Sequence, residues 1–190
     1  MITVGPVLFI IGLLMSLLAV AMGLPAIADL ATGNPDWQVF AGSAAVSLFV
    51  GVSLMLTTRS TSMTNLNLRQ AFLLTTMSWV AVAAVGALPF AFSELEISVA
   101  DAFFESMSGI TTTGSTIIVG LDNAPPGILL WRALLQWLGG VGIIVMAMAM
   151  LPILSVGGMQ LFRTEAFDTP DKVLPLSLIH ISEPTRPIAI

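Results

Sequence analysis

A run of oxygen-bearing residues in the second half of the chain carries the clearest chemistry. Thr111, Thr112, Thr113, Gly114 and Ser115 follow one another without a charged side chain. Their backbone carbonyls and hydroxyls can replace the hydration shell of a monovalent cation, and glycine permits the angles that aim successive carbonyls inward. A Thr, Ser and Gly cluster by itself is more often a loop. The elements around the run therefore decide between a cation site and a plain loop.

The residues before this run predict a short helix. Ser98 and Asp101 have the spacing of a capping box, and we expect a helix over about 99–109 that ends at Gly109. Ten residues give a helix of about 15 Å, which is half of a bilayer core, so it enters a membrane without crossing it. We therefore predict a pore helix followed by an extended filter strand at 111–115.

Several other residues near this unit have alternative roles. Asp101 and Glu105 lie one helical turn apart, and they either line an outer vestibule or cap the helix and pair with Arg132; we favour the structural roles. Arg132 follows Trp131, and we expect the two to anchor the chain at the outer membrane interface. For the glycines of the following span we favour close packing over bending; they are Gly139, Gly140 and Gly142.

The elements that position these residues are membrane spans. Of the 190 residues, 56% are hydrophobic and only 9% are charged. Four uncharged runs are each long enough to cross a hydrocarbon core of about 30 Å; they cover 1–28, 37–58, 71–93 and 133–154. We predict an all-α integral membrane fold with two N-terminal transmembrane helices, followed by one unit of helix, half-membrane pore helix with filter strand, and helix.

Composition also excludes several function classes. The chain has no cysteine, no tyrosine and one histidine, which removes thiolate catalysis, disulfides and multi-histidine metal sites. A net charge of -5 with six basic residues forms no basic patch for nucleic acid. We therefore expect no enzymatic activity, no bound cofactor and no nucleic-acid partner.

The placement of basic residues predicts the orientation. Arg59 and Arg69 follow the second predicted span, and Arg163 and Lys172 follow the fourth. Because Lys and Arg in short loops remain on the cytoplasmic side, the N-terminus is expected to be cytoplasmic. The pore loop then enters the membrane from the outer side.

Three blocks in a fixed order extend the pattern. Residues 101–114 read Asp-Ala-Phe-Phe-Glu-Ser-Met-Ser-Gly-Ile-Thr-Thr-Thr-Gly, and residues 131–142 read Trp-Arg-Ala-Leu-Leu-Gln-Trp-Leu-Gly-Gly-Val-Gly. Residues 151–160 read Leu-Pro-Ile-Leu-Ser-Val-Gly-Gly-Met-Gln. Together they resemble the Trk/Ktr/HKT family of potassium transporters, most closely its TrkH/TrkG type.

In that family four pore-loop units in one chain surround a single ion path, usually after two extra helices in the TrkH type. The resemblance implies that this chain supplies the two extra helices and the first unit. Thr112, Thr113 and Gly114 match the strand that coordinates potassium through backbone carbonyls, and Thr111 and Ser115 flank it. Also implied are a bacterial inner-membrane location, the remaining repeats, a homodimer partner and a cytoplasmic nucleotide-binding regulatory subunit.

Three regions are expected along the chain. Residues 1–70 form a two-helix membrane region with a cytoplasmic loop, residues 71–160 form the first pore-loop unit, and residues 161–190 form a cytoplasmic tail. The resemblance is lost after Pro175, and three prolines close together argue against a long helix there. We expect 176–190 to be poorly ordered and not native to the family, as after truncation with a frameshifted or vector-like end.

The predicted function is potassium transport, to which this chain contributes one quadrant of a selectivity filter. One quadrant lacks the opposing carbonyls, so we expect the 190 residues alone not to conduct. The alternative is a non-conducting membrane scaffold or regulatory fragment whose half-helix merely packs between spans. Substitutions in 112–115 distinguish the two, because they alter ion flux in the first case and only folding yield in the second.

Overall fold

The computed structural model describes residues 4–59 and 68–150. Within them, apart from one 3₁₀ turn at Leu121–Asn123, the regular elements are α-helices. In chain order these are α1 (Gly5–Ala21), α2 (Gly23–Thr32), α3 (Trp37–Thr57), α4 (Leu68–Gly86), α5 (Leu88–Phe92), α6 (Val99–Ile110) and α7 (Pro126–Met150). The predicted all-α fold is confirmed. The expected end of the last span at residue 154 and the tail 161–190, including 176–190, lie outside the described residues.

Within these described ranges, four helical stretches are long and apolar enough to cross a membrane. They are Gly5–Thr32, Trp37–Thr57, Arg69–Phe92 and Pro126–Met148. The first and third each contain a break between two helices, at Met22 and Ala87. Pro25 and Pro89 lie just beyond these breaks, and each lacks the N–H that would continue the helical ladder.

Two of the span boundaries that differ from the prediction affect the argument below. The first helical stretch continues to Thr32 instead of ending near residue 28, so that Asp29 belongs to α2 and is fully buried. The last span begins at Pro126 and not at residue 133. Proline is well suited to the first position of a helix, where its missing N–H has no intrahelical partner to lose.

Helices α1 and α3 pack with direct backbone contact. A methyl group on Gly12 would lie 2.6 Å from the carbonyl oxygen of Gly51, and one on Gly51 would lie 2.7 Å from the carbonyl oxygen of Gly12. The hydroxyl of Ser16 donates back to the Gly12 carbonyl at 2.8 Å. Small residues of this kind let membrane helices approach closely, where dispersion contacts replace the missing hydrophobic effect.

Trp131 lies in the centre of the bundle. Its side chain is completely buried, its ring meets Phe40 of α3 edge-on at 6.3 Å, and its Nε1 donates to the carbonyl oxygen of Gly86 at 2.9 Å. The expected interfacial anchor is therefore wrong for Trp131. Because Ala87 breaks the helix after Gly86, this hydrogen bond also joins α7 to the end of α4.

Candidate functional site

Helix α6 begins with a complete capping box. The Ser98 hydroxyl accepts from the Asp101 N–H at 3.2 Å, and the Asp101 carboxylate accepts from the Ser98 N–H at 3.4 Å. The helix covers Val99–Ile110, about 18 Å at 1.5 Å per residue. Gly109 lies inside its last turn, so the expected stop at Gly109 is wrong. The sequence predicted the start of the helix correctly and placed its end one residue too early.

The helix ends in a Schellman motif with a threonine in the unusual position. The N–H of Thr112 donates to the carbonyl oxygen of Gly109 at 2.9 Å, and the N–H of Thr113 donates to that of Ser108 at 3.0 Å. Thr112 has φ +59°, a left-handed conformation that this motif normally gives to glycine. For a β-branched residue that conformation is strained. The motif turns the chain sharply at the start of the predicted filter.

The N–H groups from Thr111 to Gly114 all donate to carbonyl oxygens in the last turn of α6. In addition to Thr112 and Thr113, Thr111 donates to the Met107 carbonyl at 2.9 Å and Gly114 to the Ser108 carbonyl at 3.3 Å. Among the described residues, no hydrogen-bond donor reaches the carbonyl oxygens of 112–114. Residues 112–117 are exposed in the isolated chain. Carbonyls without partners, next to fully used amides, are an arrangement that can coordinate a cation.

Gly114 has φ +78°, so its conformation favours glycine. A methyl group there would lie 3.7 Å from Nε2 of Gln136, an ordinary contact. A larger residue at position 114 is therefore disfavoured by the backbone angle and not by a lack of space. Gln136, a polar residue within the apolar helix α7, was not among the predicted site residues.

Beyond the turn, the chain is attached to one face of α6. The Ser108 hydroxyl donates to the carbonyl oxygen of Ser115 at 2.6 Å. One turn earlier in the helix, Oε2 of Glu105 accepts from the Thr116 hydroxyl at 3.1 Å and from the Ile117 N–H at 3.2 Å. The consecutive residues 115–117 are thus hydrogen-bonded to the side chains of Ser108 and Glu105.

Glu105 is completely buried and forms an ion pair with Nε of Arg132 in α7. The Arg132 side chain is 12% exposed. The expectation that Arg132 is an interfacial anchor is therefore wrong, and the alternative pairing with Glu105 is confirmed. Asp101 and Glu105 divide the structural roles that were predicted for them, since Asp101 caps the helix and Glu105 binds the arginine.

Close packing explains one of the three glycines in α7. A methyl group on Gly139 would collide with the carbonyl group of Ile110, at the last turn of α6. On Gly140 it would only reach the Thr112 methyl group at 4.0 Å, and on Gly142 it would meet no described atom within 4 Å. Gly139 therefore lets α7 pass directly against the end of α6.

Clusters of His, Cys, Asp and Glu side chains do not form a metal site in the part of the chain that the structure describes. Within 4–59 and 68–150, no group of three His, Cys, Asp or Glu residues could hold a metal ion. The role of Ser108 was missed by sequence reasoning, and its position one turn after Glu105 is the signal that could have found it.

Comparison with known proteins identifies the relationship. The family model described as "TrkH: Cation transport protein" matches residues 36–173. The chain is 42% identical over 171 residues to the Trk system potassium uptake protein TrkI of Halomonas elongata, covering 90% of this chain and 35% of that protein. It is 46% identical over 157 residues to the Trk system potassium uptake protein TrkH of Escherichia coli, covering 82% and 32%.

A solved structure agrees with this relationship. The crystal structure of the potassium transporter TrkH from Vibrio parahaemolyticus matches with a TM-score of 0.78 and 42% identity. The match covers 83% of this chain and 34% of that one. The chain thus spans about a third of the length of the relatives that it matches.

Proposed function

Because this chain belongs to the TrkH family of cation transport proteins, we propose that it contributes one quadrant of a potassium-selective filter in an integral membrane transporter. Potassium is the transported substrate, and the backbone carbonyls of Thr112, Thr113 and Gly114 are its ligands. Thr111 and Ser115 flank them. This is ion transport without enzymatic chemistry, and it involves no bound cofactor.

The direction of the amides in the candidate segment is the observation that carries this proposal. Each N–H from Thr111 to Gly114 is bonded to the last turn of α6, while the carbonyls of 112–114 accept nothing from described residues. Unpaired carbonyls are costly in a membrane unless they line a wet cavity or meet an ion. The negative end of the α6 dipole lies beside them and favours a cation.

The remaining features of the transporter follow from the family and from charge placement. The other repeats would supply the opposing carbonyls, since one chain segment forms one wall of the ion path. We place the N-terminus in the cytoplasm and the loop at α6 on the outer side, because Arg59 and Arg69 follow the second span. A second copy and a cytoplasmic nucleotide-binding regulatory subunit are the proposed partners, in a bacterial inner membrane.

Complementation tests the proposal. A chimera in which residues 1–173 of this chain replace the matching part of Escherichia coli TrkH is expressed in a strain that lacks potassium uptake, beside the 190-residue chain alone. We expect the chimera to restore growth at limiting potassium and the chain alone to fail. Gly114→Ser in the chimera should abolish growth or selectivity. Normal selective uptake by that variant would contradict the filter assignment and favour a scaffold role.

A further inference from the structure

The contacts of α6 with residues 115–117 have no role in the coordination proposed above. We infer that Glu105 and Ser108 are positioning residues that fix the carbonyl direction of the filter from outside it. The inference rests on the proposed function, because it takes 112–114 as the coordinating residues. Neither side chain touches the ion in this scheme; both act through Ser115, Thr116 and Ile117.

The filter residues lie between two fixed points. Before them, the Schellman motif holds the N–H groups of Thr112 and Thr113 on α6. After them, Ser108 holds the Ser115 carbonyl, and Glu105 holds Thr116 and Ile117. A backbone whose two ends are fixed has few ways to rotate its carbonyls. The second point is therefore as important for carbonyl direction as the first.

In the described part of the chain, the hydrogen bonds that residues 115–117 make to other elements all go to α6, and the next residue, Ile118, is buried in the core. Residues 113–118 form no strand ladder, and 112–117 are exposed. The bond from the Ile118 N–H to the Thr116 hydroxyl at 3.1 Å and the bond between the Thr111 and Thr113 hydroxyls at 2.9 Å are local to the segment. Removing the bonds to Glu105 or Ser108 would thus free the segment without destroying a sheet or a core.

Charge explains why Arg132 belongs to the arrangement. A completely buried carboxylate is very costly unless it is paired and hydrogen-bonded. The guanidinium of Arg132 supplies the opposite charge from α7, and Thr116 and Ile117 supply hydrogen bonds from the segment. Glu105 therefore joins α6, α7 and the segment at a single point.

Two buried serines of α6 provide a matched test. Ser108 donates to Ser115, whereas the Ser106 hydroxyl has no hydrogen-bond partner among the described residues, and each residue is at most 5% exposed. Ser108→Ala and Ser106→Ala thus remove the same atom from neighbouring buried sites. The purified 190-residue chain in detergent is examined by hydrogen exchange of the peptide covering 112–118. Potassium and sodium uptake are measured with the same variants in the chimera.

We expect Ser108→Ala to raise exchange at 112–118 and to lower potassium-over-sodium selectivity about five- to tenfold, the effect of one lost hydrogen bond. Ser106→Ala should change neither. Faster exchange with unchanged selectivity, or equal effects of both variants, would overturn the positioning role. If the unsubstituted chimera takes up no potassium, the proposed function is wrong, and the positioning role is wrong too. Hydrogen exchange could in that case still show that residues 115–117 are bound to α6.

Discussion

The carboxylate of Asp29 in α2 accepts a hydrogen bond of 2.6 Å from the backbone N–H of Gly127 in the first turn of α7. The two residues lie 98 positions apart. The first N–H groups of a helix have no partner within it, so an acceptor from elsewhere acts as a cap. Asp29 thus connects the N-terminal helices to the span that follows the candidate filter.

Asp29→Ala should destabilise the chain by about 1–3 kcal/mol, because it leaves the buried Gly127 N–H without an acceptor. Thermal unfolding in detergent measures the effect. Asp122→Ala is the matched control, since Asp122 is exposed and lies in the 3₁₀ turn near α7. Equal melting temperatures for the two variants would show that the cap contributes no stability.

Gly139→Ala should destabilise the packing of α7 against α6 by about 1–3 kcal/mol, because the added methyl group meets the Ile110 carbonyl. Gly142→Ala adds the same group to the same helix where no described atom lies within 4 Å. Yield and melting temperature after purification distinguish the two variants. The prediction is refuted if Gly139→Ala tolerates heating as well as Gly142→Ala.

The ion pair between Glu105 and Arg132 should show strong coupling. Glu105→Gln leaves a buried arginine without its carboxylate, and Arg132→Met leaves a buried carboxylate without its arginine, each costing about 3–5 kcal/mol. The double variant removes both charges and should cost clearly less than the sum of the two. A double-mutant cycle from denaturation in detergent measures the coupling. Additive losses would mean that the two side chains act independently.

Asp36 predicts a dependence of stability on pH. Burial raises the pKa of its carboxyl group, and the nearby charges of Glu94 and Asp29 raise it further, while the Glu94 N–H acts in the opposite direction. The folded chain then holds this proton more tightly than the unfolded chain. Protonated Asp36 therefore contributes its full share to the free energy of unfolding below the unfolded pKa of about 3.9. This contribution is lost as the pH rises through the folded pKa.

The melting temperature should accordingly fall as pH is raised from about 4 to about 7, and Asp36→Asn should reduce that fall. Asp122→Asn, at an exposed site, controls for a general effect of removing one carboxylate. If Asp36→Asn retains the full dependence on pH, other groups are responsible for it.

Much of the fold was predictable, because it depends on local properties of the chain. Uncharged runs give the spans, and Ser98 with Asp101 marks the start of α6 through hydrogen bonds made within one turn. The break near Pro25 and the start of α7 at Pro126 are also local effects, since proline acts on its own backbone, but the prediction included no break there and began the span at residue 133.

The parts that sequence reasoning missed depend on contacts between distant residues. Whether Arg132 reaches the interface or a buried carboxylate is decided by where α6 packs against α7, which no local pattern encodes. Trp131 is buried for the same reason. The end of α6 was placed at Gly109 because glycine is the usual helix terminator, whereas the left-handed residue is in fact Thr112.

Thr112 gives the last prediction, since it occupies a conformation that threonine tolerates poorly. Thr112→Asn should raise the melting temperature, corresponding to about 1 kcal/mol, because asparagine adopts left-handed angles more readily than a β-branched residue. Thr113→Asn, at a neighbouring exposed position whose φ is not positive, should give no such gain. A rise for Thr112→Asn with weaker selectivity in the chimera would mean that the threonine is kept for transport at a cost in stability. No rise would mean that the surrounding hydrogen bonds of the Schellman motif already compensate the strain.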